Sequence, residues 1–129
     1  MIKFKQWLET NGMMEASPEE VTDAQMLWLT CYDVLHNFNN DMNAALVAYC
    51  LSTPSNIESP EELGKKLGIL LVHSSHYTKK RANVDRHEIV KQLIDQGKEK
   101  GKKIATAALK AYSMYEMRPF TVNTIKMLG

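Results

Sequence analysis

The hydrophobic positions of this chain recur mainly every three or four residues, the spacing of a helix that buries one face. No stretch alternates apolar and polar residues for long enough to indicate a β-strand. The pattern therefore predicts an all-α fold, a compact bundle of five to seven helices with little or no strand. At 129 residues the chain is long enough to bury one core, so we expect a single helical domain over residues 1–129.

Two segments carry the same helix-start signal, Ser17–Glu20 and Ser59–Glu62. In each, a serine can accept from free amides of the first turn, a proline occupies the first helical position, and a glutamate follows three residues after the serine. The residues after the two signals do not match, so shared capping chemistry explains the likeness better than an internal repeat. Both segments predict a capping box at the start of a helix.

The helix from Pro18 is expected to run to about His36, with Met26, Leu27 and Leu29 widening its buried stripe. Whether the region 60–96 forms one helix or two stays open, since Asn83 is a possible second cap. Further helices are predicted at residues 4–8, 42–50, 104–115 and 121–128. The residues expected to be buried are Trp28, Leu35, Leu46, Leu67, Leu70, Val90 and Leu93.

Charge changes sign along the chain, although the net charge is only +1. Up to Glu62 there are two basic and ten acidic residues, a net charge of −8. After Glu62 there are 14 basic and five acidic residues, a net charge of +9. This division predicts an anionic partner for the second half of the chain, or packing of the two halves that interleaves their charges.

Cys31 and Cys50 both lie in apolar helical patterns, which indicates reduced thiols and a cytoplasmic location. We find no run of 18 or more apolar residues and no apolar segment typical of a signal peptide at the start. The sequence therefore predicts a small soluble protein that does not engage a membrane.

Candidate catalytic chemistry is sparse. His73 and His76 lie one helical turn apart, but a zinc site needs three or four ligands, and His87 lies far along a straight helix. We therefore predict no metal, no cofactor and no catalytic residue, and interpret the protein as not an enzyme.

Basic residues cluster after the histidine pair and again in a Lys98–Lys103 hinge. Our leading hypothesis is a non-enzymatic binding protein (an adaptor, inhibitor or assembly component) that uses this basic half on a protein partner or in self-association. The alternative is a DNA- or RNA-binding protein that contacts phosphates. The candidate residues for binding an anionic partner are Lys79, Lys80, Arg81, Arg86, Lys98, Lys100, Lys102 and Lys103.

Overall fold

A computed structural model describes residues 17–72 and 84–115 of the chain. These residues are helical with no β-strand, which confirms the all-α prediction, and no helix among them is long and apolar enough to cross a membrane. They contain four α-helices, so the predicted number of five to seven is not confirmed. The predicted helices at 4–8 and 121–128, and the pair His73 and His76, lie outside the described residues. The elements are α1 (Pro18–Asp33), a 3-10 helix (Leu35–Phe38), α2 (Met42–Ser52), α3 (Pro60–Val72) and α4 (Arg86–Tyr115).

Both predicted helix starts are found where the serines indicate. At α1 the box is complete: Glu20 donates its amide to the Ser17 hydroxyl at 3.2 Å, and Ser17 donates its amide to the Glu20 carboxylate at 3.1 Å. At α3 the Glu62 amide donates to the Ser59 hydroxyl at 3.2 Å, and this is the only half of the box that forms. Local side-chain chemistry thus fixes where α1 and α3 begin.

Within the described part of the region 60–96, α3 ends at Val72 and α4 begins at Arg86. Val84 and Asp85 are not helical, and the Asp85 carboxylate accepts the amides of His87 at 2.9 Å and Glu88 at 3.2 Å. Asp85 is therefore the N-cap of α4, whereas Asn83 lies outside the described residues. The Asp85 amide also donates to the Asn43 side chain at 2.9 Å, which joins the start of α4 to the start of α2.

Helix α4 folds back on itself at Lys98, where φ is 51° and ψ is −123°. The backbone at Gly101 approaches the Leu93 carbonyl so closely that a Cβ there would overlap it. The Arg86 guanidinium also lies 4.3 Å from the centre of the Tyr112 ring, whereas a straight helix would separate these residues by about 39 Å. We call residues 86–97 the N-terminal arm and residues 99–115 the C-terminal arm.

Helix α3 and the C-terminal arm pack with their backbones close together. A Cβ on Gly64 would overlap Ala107 and the Ile104 carbonyl, and a Cβ on Gly68 would overlap the Ala108 carbonyl. Because contacts advance in the same direction along both segments, α3 and the C-terminal arm run parallel. Glycine lets the two backbones approach where any side chain would hold them apart.

Helix α1 packs against α2 and α3, which cover one side of it. Met26 is 57% exposed and Leu29 is 52% exposed, so the expectation that they widen the buried stripe is wrong. Leu27 is buried as expected, and of the residues predicted to form the core only Val90 is half-buried rather than buried. Helix α1 also ends at Asp33, earlier than predicted, and continues as the 3-10 helix.

Candidate functional site

An exposed surface of the C-terminal arm brings together basic side chains that face away from the core. Lys102, Lys103 and Lys110 are all exposed and line a shallow groove beside Glu61 of α3. No ion pair of the described residues involves these lysines. We call Lys102, Lys103 and Lys110 the lysine face.

Lys110 was not among the residues predicted to bind. It lies seven residues after Lys103 and eight after Lys102, which is two helical turns and places all of them on one side of a helix. That spacing is present in the sequence, but it is less conspicuous than the dense charge of the Lys98–Lys103 hinge. Periodicity along the helix was therefore a better signal than local charge density.

Lys100, two residues before Lys102, is used differently. Its ammonium donates to the Thr53 carbonyl at 2.6 Å and to the Leu51 carbonyl at 3.1 Å. These carbonyls lie at the C-terminal end of α2, where carbonyl groups lack helical partners and a cation is favourable. Lys100 therefore joins the fold-back of α4 to the end of α2.

The remaining predicted residues lie apart from the lysine face. Arg86 is half-buried, with its guanidinium stacked on Tyr112, so it connects the two arms of α4 through a cation–π contact. Lys98 is exposed at the fold-back itself, in a backbone conformation that glycine adopts more readily. Lys79, Lys80 and Arg81 lie outside the described residues.

Charges of opposite sign meet in a cleft between α1 and α3. Lys65 pairs with Glu20 at 2.8 Å, and Lys66 pairs with Glu58 at 2.6 Å. The hydrogen bond from Lys65 lowers the pKa of Glu20 to about 2, against a smaller opposing effect of burial. Burial by itself would lower the pKa of Lys66, but the hydrogen bond and charge of Glu58 outweigh it and raise that pKa. Both lysines follow the sign change in the sequence, so the two halves of the chain do interleave part of their charge here.

The cysteines do not form a reactive site. Cys31 and Cys50 are buried free thiols, and burial raises the pKa of each to about 12. The Cys31 thiol instead donates to the Ala45 carbonyl at 3.8 Å. Across residues 17–72 and 84–115, no group of three or more histidine, cysteine, aspartate or glutamate side chains is placed to hold a metal ion.

Comparison with known proteins gives no relative for this chain: no family model, no curated protein and no solved structure matches it.

Proposed function

We propose that this protein is a non-enzymatic binding protein, and that its lysine face docks onto an acidic surface of a macromolecular partner. The observation that carries the proposal is the exposure of Lys102, Lys103 and Lys110 together on one side of the C-terminal arm, where none of them forms an ion pair with another described residue. Ammonium groups held on one side of a helix can bind carboxylates or phosphates without first breaking an ion pair within the described structure.

The composition of the surrounding surface favours a protein partner over a nucleic acid. Glu61 and Glu99 line the same groove as the lysines, so this surface carries charges of both signs rather than the continuous positive charge that a phosphate backbone favours. Leu109 is 40% exposed and Met114 is 38% exposed on the flanks of the arm. Mixed charge with apolar flanks is typical of protein–protein contacts, in which apolar area adds to charge complementarity.

The test compares two labelled probes, a short poly-glutamate peptide and a short DNA duplex, by fluorescence anisotropy at low salt. We expect the wild-type protein to bind the peptide and Lys110→Glu to weaken that binding by about three- to tenfold, because one favourable charge becomes repulsive. Lys91→Glu is the matched control, since Lys91 is exposed on the N-terminal arm and the substitution changes the net charge equally. It should weaken binding by less than about twofold.

Equal loss of peptide binding in Lys110→Glu and Lys91→Glu would show that only net charge matters, and would overturn the proposal. Tight binding to the duplex that falls steeply with salt, without binding to the peptide, would instead support the nucleic-acid alternative.

A further inference from the structure

We propose that the acidic partner of the lysine face is a second copy of this chain, which docks through the outer face of α1. The inference rests on the proposed function and identifies its partner. Each copy would then carry both halves of one contact, and the protein would assemble head to tail.

The outer side of α1 carries an apolar stripe that the described structure leaves uncovered. Met26, Leu29 and Asp33 follow one another at spacings of three and four residues, so they lie on one side of the helix, opposite the buried Ala24 and Cys31. Met26 and Leu29 are both more than half exposed, at 57% and 52%. Two large apolar residues one turn apart on a solvent-facing helix offer apolar area to a second helix.

The charge around this stripe is of one sign. Helix α1 contains no basic residue, and Glu19, Asp23 and Asp33 are all exposed on it. Docking of α1 onto α1 of another copy would bring these carboxylates together, which is unfavourable. An exposed basic face is therefore the better occupant, and the lysine face is one.

The lysine face matches the outer face of α1 in length as well as in charge. The C-terminal arm is about 25 Å long and α1 about 24 Å, at 1.5 Å per residue. The exposed Leu109 and Met114 give the arm apolar area of its own beside Lys102, Lys103 and Lys110. Apolar contact flanked by opposite charges would thus be available along both helices.

These two faces do not meet within one molecule. Helix α1 and the C-terminal arm both pack against α3, and each outer face points away from the core that they share. Contact between the two faces must therefore be between chains. Because the surfaces differ, the contact is heterologous, and repetition of it gives either a ring or an open chain of copies.

The experiment is sedimentation velocity of the full chain over a range of concentrations, at about 0.05 M and about 0.5 M NaCl. At low salt we expect the weight-average mass to rise to at least about twice the monomer mass of 14.7 kDa as concentration increases. At high salt the mass should fall toward that of the monomer, because screening weakens the charge pairing. A monomer at every concentration and at both salt levels would overturn the inference.

Two complementary charge-reversal variants provide the sharper test. The first double variant, Glu19→Lys with Asp33→Lys, reverses charges on the outer face of α1, so that this face and the lysine face are both basic. The second, Lys103→Glu with Lys110→Glu, reverses charges on the lysine face, so that both faces are acidic. Each double variant alone should remain monomeric at low salt. Mixed in equal amounts they should associate, because the native lysine face of the first meets the native α1 face of the second. Lys91→Glu should assemble as the wild type does.

The outcomes separate this inference from the proposed function. Suppose that Lys110→Glu weakens binding of the poly-glutamate peptide while the wild type stays monomeric. The lysine face then binds an acidic partner, but that partner is not a second copy. If the wild type self-associates and neither double variant changes this, another surface mediates assembly and the inference fails. Circular dichroism of each variant shows whether a loss of association comes from loss of helix.

Discussion

Helix α1 and the C-terminal arm of α4 both pack against α3, yet they differ in the size of the side chains that they bury and in the kind that they expose. Helix α1 buries large side chains such as Leu27 and Trp28 and leaves Met26 and Leu29 outside. The C-terminal arm buries mainly small side chains, Ala105, Ala108 and Ala111, together with the larger Ile104, and places lysines outside. The first contact is made by side chains, whereas the second brings two backbones together.

The comparison shows that apolar content alone does not tell which face of a helix is buried. In α1, apolar residues occur around much of the circumference, and only the side facing α2 and α3 is covered. In the C-terminal arm, a narrow face of small residues meets the glycines of α3. The close contact there is specified by the absence of side-chain volume, so it should tolerate added volume least.

The largest effect is expected from Gly68→Val, which would add side-chain atoms where even a Cβ overlaps the Ala108 carbonyl. Because the obstacle is backbone, relief requires separating α3 from the C-terminal arm, and we expect a loss of about 3 kcal/mol in the free energy of unfolding. Urea denaturation measures it. Ser113→Val, on the exposed side of the same arm, should cost less than about 1 kcal/mol. Equal losses in the free energy of unfolding for Gly68→Val and Ser113→Val would show that Gly68 is not in close contact with the C-terminal arm.

A second prediction concerns one substitution made on the two sides of α1. Leu27→Ala should cost about 2–4 kcal/mol, since Leu27 is 2% exposed and its removal leaves a cavity. Leu29→Ala should change stability by less than about 0.5 kcal/mol in monomeric protein at high salt. Both are read from thermal or urea denaturation. If Leu29→Ala were as costly as Leu27→Ala, the outer side of α1 would be covered in the folded monomer.

A third prediction separates two lysines of the C-terminal arm. Lys100→Met keeps most of the aliphatic stem but removes the donors to the Leu51 and Thr53 carbonyls, and should cost about 1–2 kcal/mol. Lys102→Met, at an exposed position, should change the free energy of unfolding by less than about 0.5 kcal/mol and should weaken binding of the acidic peptide instead. A stability loss of equal size in both variants would contradict the assignment of Lys100 to the fold and Lys102 to binding.

The smallest effect is expected from acid titration of the contact between α1 and α3. The pKa of Glu20 is lowered from 4.5 to about 2, chiefly by Lys65, so its carboxylate stabilises the folded state above about pH 4.5. That stabilisation is lost as pH falls from 4.5 toward 2, because the unfolded chain takes up the proton first. Glu20→Gln should therefore lose less stability than the wild type across this window. Glu19→Gln removes an exposed carboxylate beside it and is the control; an unchanged acid slope in Glu20→Gln would contradict the pairing.

Much of the fold could be predicted because its signals are local. The serines at 17 and 59 mark the starts of α1 and α3, since a cap is made by atoms within one turn of the chain. The hinge predicted at Lys98–Lys103 contains Lys98, the residue where α4 leaves helical geometry. Glycine at 97 and 101 interrupts helical preference without reference to any distant residue. The direction in which the chain turns there could not be predicted, because it depends on what the arms pack against.

The candidate site was predicted only in part, for a related reason. Lys98, Lys100, Lys102 and Lys103 look alike in the sequence, but whether an ammonium is free depends on carbonyls and carboxylates far away along the chain. The Lys100 ammonium is bound by carbonyls at the end of α2, 47 to 49 residues earlier in the chain. The spacing of Lys110 from Lys102 and Lys103 places them on one side of a helix, but only the packing of α3 against the opposite side decides that this side faces solvent.

The sequence by itself determined that the chain is helical, where several helices begin, and that its second half is basic, because helix propensity, capping and charge depend on residue type and short spacing. Only the tertiary structure decided that α4 folds back so that Arg86 meets Tyr112, that Gly64 and Gly68 admit the C-terminal arm, and that Met26 and Leu29 stay outside. Those outcomes depend on which helices become neighbours, and that is set by the fit of whole faces rather than by any short segment.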